Sequence, residues 1–203
     1  MYKKISNIVS TVFSPFLVPT YAIAIVLWMS ILFVVPLSSK LTVTGVTFGL
    51  TALIPFSLVF AMYRLKAVKS VELTERAERL LPYLLAVVCY SFLAVYYHLV
   101  HSPIWLTMFA VAGGLTVLVT LIINRWWKIS AHSAAMGALT MFVYLLFKYQ
   151  LLMMGSMPLL YTMIILTGLV GTARIILGHH TPMQVLAGVA NGAVCVLLSS
   201  LVY

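Results

Sequence analysis

Charge is what this sequence has least of. Only 7 % of its 203 residues are charged, against roughly 25 % in an average soluble domain. Aspartate is absent altogether, and the three acidic residues are Glu72, Glu75 and Glu78. Apolar residues make up 64 % of the chain, more than a soluble fold of this length can hide, so lipid must cover most of the surface. There are just two cysteines, Cys89 and Cys195, both inside apolar runs. This excludes a disulfide framework and a cysteine metal site, and no other metal-ligand cluster or cofactor signature is visible. There is also no linker, repeat or low-complexity stretch, so residues 1–203 read as one membrane domain. The Met1-Tyr2-Lys3-Lys4 start does not resemble a cleaved secretory signal, because the apolar stretch after it is too long and lacks a small-residue cleavage site.

What remains is apolar and basic. Windows of about twenty apolar residues, the length that crosses a bilayer as helix, predict an all-α integral membrane bundle of six to seven spans. Seven crossings can be laid out: Thr11 to Val35, Leu41 to Tyr63, Pro82 to Val100, Ile104 to Ile123, Ala131 to Tyr149, Met157 to Leu177 and Met183 to Val202. Pro15 and Pro19 are positioned to kink the first or make its start re-entrant. The net charge of +9 suits an anionic partner, either a phosphate head group or an anionic leaflet. Nucleic acid is disfavoured because the cations sit at span ends and not on a soluble surface.

Eight of the fifteen charged residues fall between Arg64 and Arg79. That segment reads as a water-facing helix with i, i+4 pairs Glu72/Arg76 and Glu75/Arg79. Counting crossings, this loop opens on the same side as the N-terminus, together with 124–130 and 177–182. Four of the five arginines lie in those loops, and the fifth, Arg174, approaches the last of them from within its span. A charge at mid-bilayer costs about 2.5–3.5 kcal/mol on insertion scales, so Arg174 calls for a shared polar pocket. His132, His179 and His180 lie at the same side. The side holding the three loops carries ten Lys or Arg and the other only Lys40 and Lys148, so the positive-inside rule places these loops in the cytoplasm, as expected for a protein of a bacterial inner membrane.

Lys69 and Arg76 are separated by six residues, Ile129-Ser130-Ala131-His132 opens a span, and Ala173-Arg174 precedes His180 and Gln184. In this order the three segments resemble the type 2 phosphatidic acid phosphatase family, whose pattern is Lys-x6-Arg-Pro, then Pro-Ser-Gly-His, then Ser-Arg-x5-His-x3-Asp. The resemblance covers about residues 64–192, the phosphatase-like core. The proline after Arg76 is missing (the nearest is Pro82), Ile129 and Ala131 replace Pro and Gly, Ala173 replaces Ser, and Gln184 stands where the family has Asp.

The resemblance implies metal-independent hydrolysis of a phospholipid phosphate or polyprenyl diphosphate. His180 would be the nucleophile, passing through a phosphohistidine. His132 would protonate the leaving lipid oxygen. Lys69, Arg76 and Arg174 would hold the phosphoryl group, with Ser130 and the helix N-terminus it opens adding hydrogen bonds. Gln184 can accept a hydrogen bond from the nucleophile's ring but brings no charge. It also completes a capping box with Thr181 and Pro182. Arg79 either joins the phosphate site or pairs with Glu75. Arg125 and Lys128 read as interface anchors beside Trp126 and Trp127, and His179, His98 and His101 as structural or span-end residues. The alternative is a lipid-phosphate binding or flipping protein whose phosphatase site has degenerated.

Overall fold

The computed structural model describes residues 1–71, 73, 75–153 and 157–202. The described residues are almost entirely helical, with one isolated β-bridge between Ser30 and Leu152. Among the described residues six helical stretches are long and apolar enough to cross a membrane, so the chain is an integral membrane helix bundle.

The first apolar window does not form a single crossing. It divides into α1 (Tyr2–Val12) and α2 (Val18–Met29), because Pro15 and Pro19 remove backbone donors that a continuous helix needs. Pro19 instead sits in the first turn of α2, where its missing N–H costs nothing. At about 18 Å, α2 is too short to span the hydrocarbon core alone. Its far end is tied to the loop before α8 by backbone bonds Ile31 to Leu151 (2.9 Å) and Met153 to Met29 (3.0 Å).

The long helices follow. α3 (Leu37–Phe48) and α4 (Ile54–Arg64) join through a π-helical turn at Gly49–Leu53 to make one span. α5 (Leu80–Leu99), α6 (Ile104–Ile123), α7 (Ala131–Lys148), α8 (Met157–Ile176) and α9 (Pro182–Ser199) supply the rest.

The charged segment after α4 is not the helix that its i, i+4 pairs predict. Apart from a single 3-10 turn at Ala77–Arg79, its described residues are non-helical, and Lys66 and Leu73 take positive φ. Its apolar residues decide the matter: Val68 and Leu73 are buried with Val59 of α4, so the chain folds back to cover them. Glu75 pairs with Lys69 at 3.4 Å and not with Arg79, while Glu72 lies outside the described residues. The loop reaches across to the next one on its face. Arg76 donates to the Trp126 carbonyl (2.7 Å), Asn124 donates to the Arg76 carbonyl (3.0 Å), and Arg79 donates to the Ile129 carbonyl (3.2 Å). The Ser130 N–H donates to the Gln184 carbonyl (3.2 Å), so all three loops meet on one end of the bundle.

α7 and α9 approach each other unusually closely. A Cβ on Gly192 would stand 1.9 Å from the Ala134 carbonyl oxygen, and one on Gly188 would stand 2.6 Å from that of Ser130. Gly188 and Gly192 form a small-xxx-small stripe of the kind that lets backbones touch where lipid offers no hydrophobic drive between helices. That contact sets the separation of the two helix N-termini that carry His132 and His180. Gly192→Ala is therefore expected to destabilise the detergent-solubilised protein by about 1–3 kcal/mol through overpacking. Gly45→Ala, whose Cβ meets nothing within 4 Å, should leave the thermal midpoint unchanged or raised. Equal midpoints for the two variants would mean that the close approach is not under load.

Candidate active site

Where the three loops meet, a cavity of about 440 Å³ opens into the bundle. Its lining includes Arg79, His132, Arg174 and His180, together with Ser10 and Ser14 and a long apolar wall from α2, the π-helical turn, α5, α6 and α7. The polar group clusters at the loop end, because each of its residues lies within about one turn of a helix end there. The wall then runs inward past Tyr83 and Ala86 to Tyr90, and past Thr116 and Gly113 to Phe109. From Arg79 to Tyr90 is about 16 Å along the α5 axis, roughly half the hydrocarbon thickness of a bilayer. The cavity thus has a cationic head and an apolar channel one leaflet deep.

Local structure explains each placement. Ser130 caps α7, accepting from the Ser133 N–H (3.3 Å) and from the Ser133 hydroxyl (2.9 Å), which turns His132 inward on the first turn. Two residues beyond α8 stands Gly178, whose φ of 73° is a left-handed conformation open to glycine, and the chain turns there to deliver His180. Thr181 and Gln184 form the capping box that the sequence predicts for α9.

Gln184 has a second task. Its Oε1 accepts from the Thr181 N–H (3.2 Å), a group that can only donate, so this atom is the oxygen. The same oxygen lies 3.1 Å from His180 Nδ1, which must then carry the proton. His180 Nε2 is left with the free lone pair, as a nucleophile requires.

Electrostatics reinforce this. His180, 7 % exposed, has its pKa pushed down to about 3, first by burial and then by Arg79; Lys128 and Arg174 push the same way, against the Gln184 hydrogen bond. Lys128, beyond the lining, is also pushed down, by burial and then by Arg79 and Arg174, with Glu75 opposing. Two guanidinium groups, Arg79 at 4 % and Arg174 at 2 % exposure, line the cavity, and no carboxylate does among the described residues. Buried charge of one sign invites an anion.

Residues 124–203 match the PAP2 superfamily. No curated protein matches the chain, and no solved structure does. The PAP2 segment is shorter than half the chain. It contains α7, α8 and α9, with Ser130, His132, Arg174, His180 and Gln184, and supports phosphatase-type hydrolysis of lipid phosphates as the activity class. Of these residues His132, Arg174 and His180 line the cavity, while Ser130 and Gln184 stand behind the two histidines.

Outside the PAP2 segment the geometry departs from the predicted set. Lys69, 77 % exposed at its side chain, and the exposed Arg76 do not line the cavity. The described residues between them are not helical, so the two-turn register meant to align them is absent there, and each makes loop contacts instead. Arg79 lies in the cavity instead, its Nε donating to the Leu73 carbonyl (2.9 Å). Its separation from Pro82, shorter than that of Arg76, was the available signal. Glu75 and Glu78 are engaged by Lys69 and do not reach the cavity. Ser10 and Tyr83 carried no sequence signal.

Proposed function

We propose that this chain is a metal-independent lipid phosphate phosphatase working through a phosphohistidine at His180. The reading rests above all on the buried cavity that joins two histidines and two guanidinium groups to an apolar channel. A phosphorylated or diphosphorylated lipid matches both halves of it, with the phosphate among the cations and the tail along α5 and α6.

The chemistry runs in two displacements. His180 Nε2 attacks phosphorus, the bond to the leaving oxygen breaks, and His132 gives that oxygen its proton. Water then attacks the phosphorus, His132 takes the water proton, the bond to His180 Nε2 breaks, and inorganic phosphate leaves with the neutral His180 ring restored. Arg79 and Arg174 hold the equatorial oxygens as charge develops on them. Gln184 keeps the proton on Nδ1 but supplies no negative charge to the imidazolium-like intermediate.

The purified protein in detergent is expected to release phosphate from a phosphatidate, a phosphatidylglycerol phosphate or a polyprenyl diphosphate with a chelator present, and to be blocked by vanadate. Loss of activity on chelation would point to other chemistry. Gln184 favours one second reading, a protein that binds or moves lipid phosphates without hydrolysing them. Gln184→Asp separates the two: a faster variant fits a weakened catalyst. Binding without release by either protein fits the carrier. The site loops also hold most of the basic residues, which supports a cytoplasmic site by the positive-inside rule.

A further inference from the structure

α1 packs on α8 with its polar side inward. Ser6 and Ser10 are buried, whereas Tyr2, Ile5, Ile8 and Val12 are exposed. For a helix at a membrane surface that arrangement needs something polar beneath it. What lies beneath is the phosphate end of the cavity: the Arg174 guanidinium donates to the Ser10 hydroxyl, and the His132 ring lies against the Ser10 backbone. Ser10, 3 % exposed, and Ser14 line the cavity itself. The end of α1 is pinned by Tyr21, which donates to the Val12 carbonyl at 2.8 Å.

We propose that Ser10 is a positioning residue of the phosphatase site, holding Arg174 through its hydroxyl so that α1 completes a polar pocket otherwise built from the turn before α5, from α7, and from α8 and the turn after it. The inference rests on the phosphatase reading, but it adds an element from outside the PAP2 segment. A long arginine side chain has many rotamers, and a transition state gains from a guanidinium only where it is held in advance. The Ser10 hydroxyl gives the Arg174 guanidinium an acceptor on α1, whereas Arg79 is held by the Leu73 and Ile129 carbonyls. An arriving phosphate would find both guanidinium groups already held by partners of their own.

The test uses the full chain in detergent, with phosphate release from the best lipid substrate and the affinity of inorganic phosphate as separate readouts. Ser10→Ala should lower kcat/KM by about tenfold or more, the scale of a charge-assisted hydrogen bond, and weaken phosphate binding, with the thermal midpoint unchanged. Ser10→Thr, which keeps the hydroxyl, should recover most of the loss. The losses from Ser10→Ala and Arg174→Lys should be non-additive, as expected for groups in contact. Thr42→Ala, on an exposed face of α3, should behave as wild type. If Ser10→Ala does not fold, Ser10→Cys keeps the volume but exchanges the hydroxyl for a weak acceptor and carries the same comparison. Wild-type kinetics and phosphate affinity in either variant would overturn the inference while leaving the phosphatase reading intact. If no protein hydrolyses any lipid, weaker phosphate binding in Ser10→Ala still supports the placement of Ser10, and the phosphatase reading fails by itself.

Discussion

Replacing His180 with alanine is expected to reduce phosphate release by roughly 10³-fold or more, the scale seen when a covalent nucleophile is removed. The thermal midpoint should change little, because the bond His180 makes to Gln184 duplicates one that Thr181 already supplies through its N–H. The pH behaviour of His180 gives an independent check. Folded His180 stays neutral until about pH 3, whereas an unfolded histidine takes up a proton below about pH 6.5. Its contribution to stability is thus complete above pH 6.5 and is lost as pH falls toward 3. Ring nitrogen shifts of His180, followed by NMR in the unliganded protein, should not move between pH 7 and roughly 5. A midpoint near the ordinary histidine value would show a solvated ring, and substantial turnover by His180→Ala would remove it as the nucleophile.

The second large effect separates two arginines three residues apart. Arg79→Ala is expected to lower kcat/KM by about 10²- to 10³-fold, as loss of a preorganised donor to developing charge does. Arg76→Ala should cost less than about tenfold, because Arg76 is exposed and its guanidinium holds the Trp126 carbonyl. Arg79 also binds the Leu73 and Ile129 carbonyls, so the alanine variant can loosen the loop. Arg79→Lys keeps the charge while losing the planar fork, and should fall between wild type and Arg79→Ala with its midpoint preserved. A larger loss from Arg76→Ala than from Arg79→Ala would restore the spacing argument and place the phosphate nearer the loop surface.

The Arg76 and Arg79 pair also shows where sequence reasoning stops. The family spacing from Lys69 selects Arg76, and on a helix that choice would be sound. Whether the described residues of 65–76 form a helix is decided by Val68 and Leu73, which bury themselves against Val59. A cluster between a loop and a distant helix leaves no periodic trace. The first crossing is an intermediate case. Pro15 and Pro19 announce a break, but only packing shows that it leaves α1 docked on α8 with Ser10 against Arg174.

Composition and apolar run length by themselves determined the solvent, the helical class and the long spans from Leu41 onward. Crossing parity determined that the three loops share an end of the bundle, because a helix that enters a bilayer must leave on the other side. The Thr181–Gln184 cap was equally legible, being local. The tertiary structure alone decided which cations face the cavity, that Gln184 fixes the His180 tautomer, and how closely α7 and α9 approach. These depend on side chains far apart in the chain, and pairwise contact over such distances is selected by packing and desolvation and not by any residue's own preference.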